Sequence, residues 1–406
     1  MKNLTIISLS VINLKAPLIS TISKSNIQFK NTLISNSFSS LFYGKFNLKL
    51  QSSKFSHFLK PVIYFDSTKY ITGAMFRDTQ KYTDAKISQC EFYQIQSHAI
   101  YCNKNLANIS ISRSTFFLCY AIEKYDPHGG AIYFVDYLLE IEASSFTSCY
   151  CRDTGSCLYI NSSKTFIDSI SISNCSLNRP CKSCTSKIAS KYGKMKFVNN
   201  SLSLTPKISA FYVTFTELSY IEYITTANSR GDTINIFSSA VPLHFGNVIN
   251  CSAESGLFSC SNKDTFITSY YFSMNDGYLC TFEKKNLLIF TDCIFLDYDS
   301  RPKGGNFAIR GTFYLKGANF TPIYNSPIVE EILQEKRPMQ KWITVLVFLI
   351  FIILTGLILF KLYMKNIPEY EESSENIESA STPPQEEIQP QRTITKRPTK
   401  SKTMTF

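Results

Sequence analysis

Ile111-Ser-Arg-Ser-Thr-Phe116 is the stretch that decides the fold, because its pattern recurs. It stands again as Ile87-Ser-Gln-Cys-Glu-Phe92, Ile141-Glu-Ala-Ser-Ser-Phe146 and Ile172-Ser-Asn-Cys-Ser-Leu177, with a fainter copy at Phe290-Thr-Asp-Cys-Ile-Phe295. An isoleucine is followed by two free positions, a Ser or Cys, a spacer, and Phe or Leu. The four full copies begin 24, 30 and 31 residues apart. Between them runs a second phrase of small residue, apolar residue and Tyr: Ala99-Ile-Tyr101, Gly130-Ala-Ile-Tyr133 and Ser156-Cys-Leu-Tyr159. Gly256-Leu-Phe258, Gly277-Tyr-Leu279 and Gly305-Asn-Phe307 read as worn descendants of it.

Two linked phrases at this period describe a solenoid. Short alternating strands such as Ile109-Ser-Ile111-Ser and Leu139-Glu-Ile141-Glu bury one face only. A unit of this size cannot cover its own apolar side, so it must stack on its neighbours. The expected body is an all-β, parallel β-helix. Ile87, Ile111, Ile141 and Ile172 should form one inward ladder and Phe92, Phe116 and Phe146 another, with coils about 5 Å apart. Small residues before the Tyr phrase suit a corner where coils approach closely. A leucine-rich horseshoe would need a phrase this chain lacks, and a β-sandwich leaves the two linked phrases unexplained. Residues 190–245 keep a strand-like composition but lose the phrase.

Working outward, the chain carries one uninterrupted apolar stretch, Trp342 to Phe360, long enough as a helix to cross roughly 30 Å of hydrocarbon. Residues 331–341 form a linker into this transmembrane helix. After it, 361–406 has seven basic and seven acidic residues and almost nothing that could make a core; it reads as a disordered tail. All 13 cysteines precede the span. So do the Asn-x-Ser/Thr sequons at Asn108, Asn161, Asn174, Asn199, Asn250 and Asn319, with Asn3 at the very start. The Lys/Arg balance around the span is nearly even, so the cysteine asymmetry sets the orientation: body 17–330 outside, tail in the cytoplasm. Residues 1–16, basic at Lys2 and mildly apolar after it, are the candidate signal segment. The net charge of +11 is carried mostly by scattered lysines, read as a solvated outer face, with a site for sulfated glycans or anionic surfaces as the alternative.

His128-Gly-Gly-Ala-Ile-Tyr133 resembles the GGAI phrase of chlamydial polymorphic outer membrane proteins. Phe116-Phe-Leu-Cys119 and Phe146-Thr-Ser-Cys149 stand where that family has Phe-x-x-Asn. The layout is also similar to trichomonad surface proteins with right-handed parallel β-helix bodies, one C-terminal span and a short tail. The likeness covers Tyr82 to Cys184 well and Phe245 to Thr321 weakly. It implies an extracellular, adhesin-like β-helix with a right-handed coil. A transmembrane helix replaces the chlamydial β-barrel, so autotransport is not implied.

Chemistry-bearing residues are few. Of the four histidines, His57, His98, His128 and His244, only His128 looks site-like, and its place before Gly129 suits a turn. Glu140 and Glu142 share a strand face, as do Asp297 and Asp299; with Ile141 inward, the glutamates should face solvent. Cys181-Lys-Ser-Cys184 lacks a second ligand pair for zinc, so a disulfide or a stacked core thiol is expected. Catalytic, cofactor and metal sites are therefore not expected, nor is a nucleic-acid partner. The expected protein is a single-pass plasma-membrane protein that binds host or neighbouring-cell glycans or proteins, or forms a coat. The competing expectation is a tethered polysaccharide lyase or glycoside hydrolase on the same scaffold.

Overall fold

Inward-facing apolar residues stack coil upon coil in this protein. The computed structural model describes residues 2–315, apart from the segments 22–24, 67–82, 104–106, 122–127, 176–182, 204–208, 238–240, 261–264, 281–286 and 297–306 and positions 45, 218 and 312. Within them lies a 29-stranded sheet, with a two-stranded one beside it, and the pairings are parallel. The body, Met1–Arg337, is one compact unit.

Three faces make each coil. On the first, one residue per coil forms the ladder Ile6, Phe29, Leu50, Ile87, Ile111, Ile141, Ile167, Met195, Ile221, Leu243, Ile267, Phe290 and Ile309. On the second, Phe55, Phe92, Phe116, Phe146 and Ile172 stack. The rings of Phe92, Phe116 and Phe146 lie 4.8 and 4.7 Å apart and nearly parallel. The third face carries the Tyr phrase, with Ile63, Ile100, Ile132 and Leu158 inward.

The phrase has a local physical reason at every position. Two residues after each first-face ladder residue the chain turns through the left-handed region: Ser52, Gln89, Arg113, Ala143 and Ser169 have φ between 45 and 54°. A second such corner follows the Phe ladder at His57, Gln94, Leu118, Ser148 and Asn174, with φ of 51–56°. Each costs a non-glycine residue about 1–2 kcal/mol. The turn keeps the backbone ladder unbroken, since Gln89, Arg113 and Ala143 N–H groups donate to the next coil at 3.0–3.1 Å. The Ser or Cys that follows points inward and serves the neighbouring coil. Ser114 Oγ accepts from Cys90 N at 3.2 Å, and Ser144 Oγ accepts from Ser114 N at 3.1 Å. A buried N–H just past a corner needs such a partner.

Ile172 departs from the expected register. It stacks on Phe146, while Ile167 continues the isoleucine ladder. Both phrases end in x-x-Ser/Cys, as in Ile87-Ser-Gln-Cys90 and Phe146-Thr-Ser-Cys149, and Ile172-Ser-Asn-Cys175 is a copy of the second with Ile for Phe. Gly305-Asn-Phe307 is likewise no descendant of the Tyr phrase, since Phe307 pairs with Leu288 on the first face. The expected corner packing does hold at Gly130, where an added Cβ would collide with the carbonyl oxygens of Ser156 and Tyr150.

The described cysteines follow the stacked core thiol alternative. Eleven are described and all are buried, Cys184 among them; Cys181 lies outside the described residues. Cys149 N donates to Cys175 Sγ at 3.4 Å, so these thiols take the role that Ser114 and Ser144 play elsewhere.

Through 190–245, where the phrase fades, the described residues keep the coil register. Met195, Ile221 and Leu243 hold the first ladder, while Asn200 and Thr226 enter the second, fully buried. Their polar atoms are satisfied internally: Asn200 Nδ2 donates to Ser203 Oγ at 3.1 Å, and Thr226 Oγ1 to Asn235 Oδ1 at 3.1 Å. Among the described residues no helix is long and apolar enough to cross a membrane. Trp342 to Phe360, the linker 331–341, the tail 361–406 and Asn319 lie outside them.

Candidate functional site: an amide and lysine groove

Alternation on the first face sends residues either side of each inward ladder position out to solvent. Strands Ser25–Lys30, Asn47–Gln51 and Thr83–Ser88 pair in register. Their outward residues therefore fall into two columns running along the coil axis. One column holds Asn26, Asn47 and Asp84; the other holds Gln28, Lys49 and Lys86. With Asn3, Thr5 and the backbone between the columns they line a shallow groove of about 380 Å³.

The amide column is built by hydrogen bonds from coil to coil. Asn26 Nδ2 donates to Asn3 Oδ1, and Asn47 Nδ2 to Asn26 Oδ1, each at 3.0 Å. Asp84 N donates to Asn47 Oδ1 at 3.3 Å, and Asn108 Nδ2 to Asp84 Oδ1 at 2.9 Å. These bonds link the column from coil to coil along the groove. Lys49 and Lys86 are exposed and sit at directly paired register positions. The arrangement can hold a polar, extended ligand by hydrogen bonds and charge. Among the described residues its one carboxylate is Asp84, engaged by Asn108, whereas acid–base hydrolysis of a glycoside uses a pair.

Residues 1–16 take part in this region. Lys2–Ile7 pairs with Ser25–Lys30 as the outermost described coil, and its outer side leaves Ile7 and Ile12 each 64% exposed. The pairings and hydrogen bonds that link Asn26, Asn47 and Asp84, and Gln28, Lys49 and Lys86, lie outside residues 1–16.

The other sequence-derived candidates are scattered. Glu140 and Glu142 are exposed on either side of buried Ile141, as expected. His128 stacks on Tyr159 at 4.8 Å and faces Asp153 Oδ2 at 3.9 Å. His98 Nε2 donates to the His128 carbonyl at 2.7 Å. Both rings flank a stack of outward tyrosines, Tyr43, Tyr64, Tyr101, Tyr133 and Tyr159, with centroids 4.8–5.2 Å apart. Tyr101 and Tyr133 are nonetheless buried at 6% and 8%, so this stack is packing rather than an open surface. His57 sits at a corner, His244 is half-buried, and Asp297 and Asp299 lie outside the described residues. Of the sequons, Asn161 and Asn250 are exposed while Asn108, Asn174 and Asn199 are half-buried. Asn250 Nδ2 already donates to Asn228 Oδ1 at 2.7 Å, and Asn174 Nδ2 to Ser148 Oγ at 3.0 Å.

The groove itself was missed by the sequence reading, although a signal exists. Asn26-Ile-Gln-Phe29, Asn47-Leu-Lys-Leu50, Asp84-Ala-Lys-Ile87 and Asn108-Ile-Ser-Ile111 form a third repeated phrase directly before the isoleucine ladder. Fold and site together define a parallel β-solenoid with a polar axial groove. Comparison with protein families, with curated proteins and with solved structures gives no match.

Proposed function

We propose that this chain is a single-pass cell-surface protein whose right-handed β-helix body binds ligands along a lateral face, as an adhesin-like or coat module without catalysis. The observation that carries this reading is the pair of axial columns, Asn26–Asn47–Asp84 and Gln28–Lys49–Lys86, repeated coil by coil. A solenoid offers a long surface built from equivalent positions, and such a surface grips an extended partner through many weak contacts. Right-handed winding is the hand that strand twist favours for parallel crossovers.

The body, 17–330, stands outside the plasma membrane and Trp342 to Phe360 anchors it in lipid. Coils stack in chain order, so the groove lies many coils from Phe307–Arg310, the end that leads towards the span. Its partners are glycans or proteins of host or neighbouring cells, and exposed Asn161 is the best-placed site for a glycan of its own.

The test is binding of the intact protein, in detergent, to a glycan array and to whole cells. Asn26→Ala/Asn47→Ala should reduce binding severalfold, whereas Glu140→Ala and His128→Ala should leave it unchanged. Polysaccharide cleavage lost on substituting Glu140 or His128 would instead establish the lyase or hydrolase. In parallel, an epitope tag after Lys15 should be protease-accessible on intact cells and one in the tail protected; the reverse pattern would overturn the topology.

A further inference from the structure

We infer that the groove takes an acidic linear polysaccharide lying along the coil axis; this rests on reading the groove as a binding site. Three observations point the same way. First, the repeat matches. Outward groups recur at one coil rise, about 4.8 Å, and ring stacks elsewhere on the same solenoid measure 4.7–4.8 Å. An extended chain of equatorially linked pyranose rings advances by nearly the same distance per sugar. Each sugar can therefore meet an equivalent pair of side chains on each coil.

Second, the charge is net positive, with Lys49 and Lys86 set against the single carboxylate of Asp84, which Asn108 engages. Lys49 and Lys86 are direct register partners, and like charges opposite one another across strands are destabilising. Among the described residues neither is in an ion pair, whereas Lys54 pairs with Glu91 at 2.8 Å and Lys191 with Glu217 at 3.0 Å. A carboxylate or sulfate seated between Lys49 and Lys86 would relieve that repulsion. Asn26, Gln28 and Asn47 would meet hydroxyl and ring oxygens on the same sugars.

Third, among the described residues no aromatic side chain lines the groove. Single-stranded nucleic acids, the other common linear polyanions, rely on aromatic platforms for stacking. The groove lacks that platform and has the amides that sugars use.

The experiment uses the full chain in nanodiscs of neutral phosphatidylcholine. Hyaluronan oligosaccharides, their carboxyl-reduced neutral counterparts and oligo-dT are the probes, with affinity read by interferometry at low and high salt. Hyaluronan should bind, its affinity should fall with salt, and carboxyl reduction should weaken it at least tenfold. Lys49→Gln/Lys86→Gln should weaken hyaluronan binding at least tenfold with an unchanged circular dichroism spectrum, and Lys191→Gln should not. Equal binding of charged and neutral sugars, both lowered by Asn26→Ala/Asn47→Ala, would overturn the acidic specificity and leave the binding groove standing. Absence of sugar binding in a protein that still adheres to cells through the groove asparagines would overturn the polysaccharide and not the groove. Oligo-dT binding as tight as hyaluronan would overturn the inference in favour of a general polyanion site.

Discussion

Replacing Phe116 with Ala tests whether the stacked second ladder is the energetic spine of this fold. Phe116 is fully buried, and its ring is sandwiched between Phe92 at 4.8 Å and Phe146 at 4.7 Å, within 9° of parallel to both. Burial of an aromatic side chain and the cavity left by truncation together give a loss of about 3–5 kcal/mol, and two lost ring pairs place it at the upper end. That is a large share of a net stability of about 5–15 kcal/mol. The adjacent Phe117 is the internal control. It faces outward, half-buried, and stacks on Tyr93 at 5.2 Å, so Phe117→Ala should cost about 1 kcal/mol or less. Urea unfolding of the body, followed by circular dichroism, reads both values. Because a solenoid couples only neighbouring coils, Phe116→Ala and Phe295→Ala should add within about 0.5 kcal/mol, whereas Phe92→Ala and Phe116→Ala should not. A loss below about 1 kcal/mol for Phe116→Ala, or an equal loss for Phe117→Ala, would refute the ladder as the source of stability.

Alkaline pH should destabilise the body through its thiols. Burial pushes Cys90 and Cys293 up to about 11 and Cys251 to about 12, so the unfolded chain ionises first. Their contribution is intact below about pH 8.5 and is lost as pH rises towards the folded values, at about 1.4 kcal/mol per thiol per pH unit; Cys251→Ala should flatten the alkaline limb of stability measured against pH. The same thiols should react with iodoacetamide only after denaturant is added, a result that early labelling would contradict. At the left-handed corner with φ of 45°, Ala143→Gly should raise stability by about 0.5–1 kcal/mol, read as a higher melting temperature. If the body is secreted as proposed, Asn161→Gln should remove one glycan by mass spectrometry and Asn174→Gln none, since Asn174 is tied to Ser148.

The first ladder was legible because alternation reports which side of a strand is buried, and Ile87, Ile111 and Ile141 sit where that pattern puts them. Ile172 slipped by a ladder because the two phrases share their x-x-Ser/Cys ending, which serves the same backbone amide after either corner. The coils of 190–245 were obscured for a related reason. Met195 and Val198 fill the interior as well as Ile does, while Phe197, Tyr223 and Phe245 take a corner held by polar residues in many other coils, stacking there at 4.6 and 5.1 Å.

By itself the sequence determined that strands stack in parallel coils and which residues face inward, since both depend on a period of two and on a repeat longer than one strand. It could not decide the groove. Asn26 and Asn47 are 21 residues apart, and Asn47 and Asp84 are 37 apart. Coil lengths differ, so no fixed spacing announces that these amides touch. Only the winding of each coil onto the last sets the register that brings them, with Lys49 and Lys86, onto one face. Core membership is a property of a residue and its immediate neighbours; the site is a property of the stacking between coils.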